Sequence, residues 1–317
     1  MKRLVTSSVF LALVLAAGQS YAAFSSLFVV GDSLSDTGNA AKFLPPASTP
    51  WDLIPSAPYS PSNVFSNGSV WVETFASNLG LSAVASQLGG TNGALGGART
   101  DSLFGGIDQA NGWANFLGTV PDGSLWVVWI GGNDVRDAAM TEDSAEASQI
   151  VNNAVANVST IVTTLANAGA QNFLIPNLSD LGLVPEASLS GDYLQNASEL
   201  TTQFNSGLSA QIANLENALP AIDITTLDVF KATNDVFSDP TEFGFSNVTD
   251  PCLEVGGDGV CANPDSYFFW DGIHPTAALH AQTAALATAA VTLVPIPAAL
   301  PLLLSALIGM RLFTRQT

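Results

Sequence analysis

The chain has 317 residues, with 27 acidic side chains against 8 basic ones and a formal net charge of −19. Four of the basic residues (Lys2, Arg3, Arg311 and Arg315) lie in the terminal segments, so the central region is more acidic still. Such a surface repels phosphate backbones and excludes nucleic acid as a partner, and with two histidines and two cysteines neither a metal nor a cofactor is expected.

At the N-terminus, Lys2 and Arg3 precede the mostly apolar run from Leu4 to Ala17, followed by Ser20-Tyr21-Ala22. A basic start, a short apolar stretch and a small-x-small site describe a secretory signal peptide over residues 1–22, hence an exported protein. The run is short for a membrane span. Ser26 to Val30 is apolar and β-prone and ends in Gly31-Asp32-Ser33. Phe43 to Pro61 is rich in Pro and Ser and reads as a long loop beside a substrate cleft. A helix is expected over Val70 to Leu79. Leu125 to Ile130 is a second continuous apolar run, ending in Gly131-Gly132-Asn133-Asp134. Further helices are expected over Ser148 to Ala168, Leu200 to Leu219 and Thr276 to Ala290, and further strands over Asn172 to Leu178 and Ile222 to Val229. Runs apolar on both faces suit central parallel strands covered by helices on either side. The alternation predicts an α/β domain over residues 23–290, a three-layer α/β/α sandwich around a mostly parallel sheet of about five strands.

Asp239 to Asp265 reads as an irregular insertion that includes Cys252 and Cys261. In an oxidising compartment this close, even pair is expected to form a disulfide. From Val291 to Met310 there are 20 residues without a charge, followed by Arg311 and Arg315. That length suits a membrane span with its basic end in the cytoplasm, although Pro295, Pro297 and Pro301 are unusual there. Val294-Pro295-Ile296-Pro297-Ala298-Ala299 with its apolar and basic continuation resembles a VPxPA-type bacterial sorting signal. The resemblance implies that residues 291–317 associate transiently with the membrane and are removed by a processing protease. A permanent anchor and a buried terminal helix are the alternatives.

Sites in open parallel sheets form beyond the carboxyl ends of strands, which is where Ser33 and Asn133 stand. A serine hydroxyl needs a base, and imidazole titrates in the right range. His274 lies three residues after Asp271 in Trp270-Asp271-Gly272-Ile273-His274-Pro275. Pro275 favours the first turn of a helix and disfavours helical backbone at His274, so the imidazole is expected on the preceding loop within reach of Asp271. His280 falls inside the following helix and reads as a packing or surface histidine. Gly31-Asp32-Ser33-Leu34-Ser35 departs from the Gly-x-Ser-x-Gly elbow, and alone it reads equally well as a turn closing a strand.

Taken together and in order, Gly31-Asp32-Ser33-Leu34, Asn92 to Thr100, Gly131-Gly132-Asn133-Asp134 and Asp271-x-x-His274-Pro275 resemble the GDSL (SGNH) hydrolase family. The resemblance implies a flavodoxin-like hydrolase fold with Ser33 as nucleophile, His274 as general base and Asp271 as its orienting partner. The backbone N–H groups of Ser33 and Gly97 and the amide of Asn133 would form the oxyanion hole. Gly97 rather than Gly96 is assigned because it lies five residues after Asn92. The implied activity is cleavage of carboxylic esters through an acyl-enzyme, lipase-like or esterase-like. Polysaccharide deacetylation and acyl transfer would use the same triad, and a non-catalytic surface protein could share the fold. Asp32 and Asp134 are expected to shape their loops, Arg99 to pair with a local carboxylate, and Tyr267 to Trp270 to pack beneath the Asp271/His274 pair.

Overall fold

Leu27 to Val30 are apolar at four successive positions, so both faces of the strand they form must be covered. In the computed structural model, which describes residues 24–43, 58–60, 63–189, 191–253 and 259–292, that strand is β1 (Ser26–Gly31). It is followed by β2 (Ser124–Trp129), β3 (Asn172–Pro176) and β4 (Asp223–Leu227). The four form a parallel sheet in the order β1-β2-β3-β4. All six residues of β2 are buried, as cover on both faces requires. The expected signal peptide, the C-terminal tail from residue 293 and most of the Pro/Ser-rich loop lie outside the described residues.

The helices are α1 (Asn39–Phe43), α2 (Trp71–Asn78), α3 (Gly106–Leu117), α4 (Gly132–Ala139), α5 (Ser144–Asn167), α6 (Gly191–Ala218), α7 (Val229–Ser238) and α8 (Ala277–Thr292). Helices α3, α5 and α6 pack in succession, with α4 against α5 and α6, while α2 packs on α8. Each buries an apolar stripe: in α5 it comprises Val151, Val155, Val158, Ile161, Val162 and Leu165. Helix α5 begins four residues earlier than its apolar periodicity suggests, because the Asp143 carboxylate caps it by accepting the N–H groups of Ala145 and Glu146.

The main sheet has four strands where about five are expected. Along the free edge of β1 runs Thr91 to Leu95, bridged to the strand at Val29 and Asn92. Val29 donates to the Thr91 carbonyl (3.2 Å), Gly93 donates to Val29 (2.9 Å) and Leu95 donates to Gly31 (3.1 Å). Asn and Gly fit a pleated ladder poorly, so this segment meets the strand only intermittently. The insertion from Asp239 to Asp265 is also more regular than expected, since β5 (Asn247–Pro251) pairs in parallel with β6 (Tyr267–Phe269). Cys252 and Cys261 form the expected disulfide, with Cα atoms 4.9 Å apart.

Candidate active site

Gly31 ends β1 in register with Trp129 of β2, and its backbone groups gain a side-chain partner from the helix layer in Gln109 of α3. Its Oε1 accepts the Gly31 N–H and its Nε2 donates to the Gly31 carbonyl, each at 2.9 Å. The chain then turns: Asp32 Oδ1 accepts the Leu34 N–H (3.0 Å) and the Asp32 carbonyl accepts the Ser35 N–H (3.1 Å). This Asx-type turn presents Ser33, which is 8% exposed.

The other half of the site is a loop between β6 and α8. Asp271 Oδ1 accepts the backbone N–H groups of Ile273 (2.8 Å) and His274 (2.7 Å), while Oδ2 lies 2.7 Å from His274 Nδ1. The Trp270 N–H donates to the His274 carbonyl at 2.7 Å and closes the loop. The Glu186 N–H braces it from outside through the Gly272 carbonyl (2.8 Å), and the Glu186 carboxylate is held by Arg136. His274 Nε2 lies 2.9 Å from Ser33 Oγ, across 241 positions of sequence. With the ring proton on Nδ1 facing a carboxylate, Nε2 is the acceptor toward the hydroxyl. Burial alone would raise the Asp271 carboxyl. The charge and hydrogen bond of His274 and the two backbone donors outweigh it, holding the group below the usual carboxylate range.

Tyr59 adds a partner with no sequence signal. Its hydroxyl donates to Asp271 Oδ2 at 2.7 Å, and its ring stands edge-on to Trp270. Burial, then the neighbouring Asp271 charge, drives the phenol above its ordinary range, so it remains a donor. Tyr59 lies in the Pro/Ser-rich segment, 212 positions from Asp271.

The third part assembles from loops at the strand ends. Asp36 accepts the N–H groups of Gly38, Asn39, Ala40 and Gly96, tying the turn after Ser33 to the Asn92–Thr100 block. Asn39 Nδ2 donates to the carbonyls of Asn92 and Ala94, and Asn92 Nδ2 donates to the Ser35 carbonyl. The Gly96 N–H is thus committed to Asp36, which leaves Gly97 as the available donor of the adjacent pair. Gly97 has φ +78°, a conformation that favours glycine. Its carbonyl is held by Arg99 Nη1 (2.7 Å), while Arg99 also grips Asp137 of α4 through two 2.8 Å bonds. This is the local carboxylate pairing expected of Arg99. Asn133 lies in the first turn of α4, after Gly131 at φ +120°. A Cβ on Gly131 would meet the Phe204 ring at 2.5 Å, so glycine is needed for space as well. Asn133 Nδ2 donates to the Ala98 carbonyl (3.0 Å), leaving its second amide hydrogen for a ligand.

The remaining expectations also find their places. Asp134 accepts the N–H and hydroxyl of Thr100. Phe268 and Phe269 pack with Phe237 and one another beneath the Asp271/His274 loop. His280 is buried, at 2% exposure. Burial raises Asp134 to about 6 and Asp32 to about 7; for Asp32 the Leu34 N–H and the charge of His274 oppose the rise. The Asp32 shift has a consequence for stability. Unfolding returns the carboxyl to an ordinary value near 3.8, so between about pH 4 and 7 the folded state holds a proton that the unfolded state has lost. Stability from this group therefore falls as pH rises, on the order of 1.4 kcal/mol per pH unit, and levels off above pH 7. Asp32→Asn keeps the acceptor for Leu34 and removes the titration. Urea unfolding is expected to show the variant gaining stability over wild type between pH 5 and pH 8; an equal difference at both would refute the shift.

A cavity of about 90 Å³ opens beside Ser33 and His274, walled by Trp129, Leu178, Val229, Phe268, Phe269 and Leu279. Among the described residues, no group of three or more His, Cys, Asp or Glu side chains is placed to hold a metal. No helix among them is long and apolar enough to cross a membrane.

Known proteins match the chain over most of its length. A GDSL esterase/lipase of Arabidopsis thaliana is 24% identical over 302 residues, covering 79% of this chain and 78% of the relative. Lipase 1 of Photorhabdus luminescens is 25% identical over 85% of this chain, which spans half of that longer protein. Among solved structures, an acetylxylan esterase from Geobacillus stearothermophilus (a catalytic mutant) superposes with a TM-score of 0.46 at 14% identity, covering 84% of this chain and 93% of that one. The class is a carboxylic ester hydrolase on an α/β fold with a parallel sheet. Within it, the chain belongs to the GDSL-like lipase/acylhydrolase family, whose pattern it matches over residues 27–287.

Proposed function

We propose that the protein is an exported serine esterase in which Ser33, His274 and Asp271 form the catalytic triad. The observation that carries this reading is the unbroken path from Ser33 Oγ to His274 Nε2 (2.9 Å) and from His274 Nδ1 to Asp271 Oδ2 (2.7 Å). Ser33 Oγ attacks the ester carbonyl while Nε2 takes its proton, and Asp271 stabilises the resulting imidazolium. The Ser33 and Gly97 N–H groups and the free Asn133 amide hydrogen hold the oxyanion of the tetrahedral intermediate. Its collapse breaks the bond to the alcohol oxygen, which leaves with the proton from His274. Water, deprotonated by the same nitrogen, then releases the carboxylic acid and restores Ser33.

The apolar cavity beside Ser33 favours an acyl chain over an acetyl group, because buried methylenes contribute about 0.8 kcal/mol each. The test is a series of p-nitrophenyl esters from acetate to palmitate, run beside an acetylated polysaccharide. Maximum kcat/KM on a chain longer than acetate is expected; a maximum on the acetylated polysaccharide would overturn the assignment. Tyr59 acts as a positioning residue that holds the Asp271 carboxylate. Tyr59→Phe is expected to lower kcat about tenfold or more with KM retained, the effect of losing one hydrogen bond to a charged group. An unchanged kcat would leave Tyr59 with a packing role only.

Export is supported by the basic, apolar and small-residue order of residues 1–22, and by the disulfide, which suits an oxidising compartment. The VPxPA-like tail supports transient membrane association followed by removal by a processing protease. Mass spectrometry of the exported protein is expected to find an N-terminus near Ala23 and no Arg311 to Thr317 peptide.

A further inference from the structure

His280 lies in the first turns of α8 and lines the cavity that also reaches Ser33 and His274. Its Nδ1 accepts the backbone N–H of Trp71 at 3.2 Å, at the start of α2. Burial, and next the charge of His274, pull this imidazole down to about 3, so it is neutral under any ordinary assay. A neutral ring whose Nδ1 is an acceptor must carry its proton on Nε2. That nitrogen is buried and has no hydrogen-bond partner among the described residues. Buried donors are almost always paired, and an unpaired one in a site calls for a ligand that completes it. Thr233 and Thr283 line the same cavity and could accept as well as donate, but their hydroxyls hydrogen-bond to the carbonyls of Val229 and Leu279 and neither is paired with Nε2. The other walls are largely apolar. His280 is thus a wall of this cavity, with Nδ1 engaged by α2 and Nε2 the ring nitrogen left unsatisfied.

We infer that this cavity binds acyl chains bearing an oxygen acceptor (hydroxyl, ether or keto) part-way along their length, with His280 Nε2–H donating to that oxygen. The inference rests on the reading above that the acyl group occupies the cavity beside Ser33. It makes His280 a specificity-determining residue, since a site built around a buried donor discriminates against chains that leave the donor unpaired.

The test uses p-nitrophenyl oxa-octanoates that differ only in the position of one ether oxygen, so hydrophobicity is nearly constant across the series. Wild type is expected to show a peak in kcat/KM at one oxygen position, about tenfold above the other isomers, the effect of one net hydrogen bond. His280→Leu is expected to flatten the profile, and His280→Gln, which restores an N–H donor, to recover part of the peak. A fluorophosphonate probe at Ser33 reports in parallel whether each protein retains a competent site. If the Leu variant is not labelled, the wild-type and Gln profiles decide. A flat profile in labelled, active wild type overturns the inference, as does an identical peak in His280→Leu. Wild-type protein that neither reacts with the probe nor turns over any ester overturns the esterase reading instead.

Discussion

Ser33→Ala is expected to reduce kcat on p-nitrophenyl esters by about 10⁶-fold, the scale seen when the nucleophile of a serine hydrolase is deleted. The reason is local. The substitution removes the only atom that can form the acyl-enzyme, while the binding cavity and the oxyanion donors remain. Among the described residues the Ser33 side chain hydrogen-bonds to His274 alone, and the turn that carries it is built from Asp32 and Ser35. The variant should therefore fold, and its thermal midpoint should stay close to wild type. Retention of more than about a hundredth of wild-type turnover, with the same midpoint, would remove Ser33 from the mechanism.

Asp271→Asn should cost about 10⁴-fold in kcat with the structure preserved. An Asn in this place keeps an oxygen for the N–H groups of Ile273 and His274, so the loop survives. Its NH₂ group, however, replaces the carboxylate oxygen that faces His274 Nδ1. An NH₂ there demands an acceptor, so Nδ1 loses its proton and Nε2 gains it. The nitrogen that should take the Ser33 proton then already carries one. Asp271→Ala adds a structural loss, because two backbone donors lose their acceptor in a buried loop. The Asn variant keeps the loop and changes the groups at Oδ2 alone, where the Tyr59 hydroxyl must then accept rather than donate. A loss below tenfold would show that the carboxylate is not the orienting partner. Thermal unfolding separates the two variants, with Asn near wild type and Ala lowered.

These two substitutions act on parts of the site that differ in how readily sequence reveals them. Ser33 and His274 were accessible because each sits in a short ordered string, and two histidines left little choice of base. The Asp271/His274 contact is local: three residues apart, with Pro275 ending the loop. Arg99 was recognisable as one member of an ion pair because unpaired basic residues are scarce in so acidic a chain, but its partner Asp137 was not. Helices α3, α4 and α7 were missed because their apolar stripes are short and interrupted by Gly, Asn and Asp, so tertiary packing rather than periodicity selects them. Tyr59 and the orphan nitrogen of His280 gave no signal, since neither forms a local pattern.

What the residues alone determined is the α/β class and the parallel character of the sheet, and they single out the members of the proposed triad, because apolar run lengths and short loop motifs act locally. What only the tertiary structure decided is which distant groups meet. Asp36 binding Gly96 leaves Gly97 as the free donor; Tyr59 reaches Asp271; Trp71 turns His280 so that its proton is left facing unpaired. Each of these depends on hydrogen-bond completion between segments dozens to hundreds of residues apart, which chain-local periodicity does not encode.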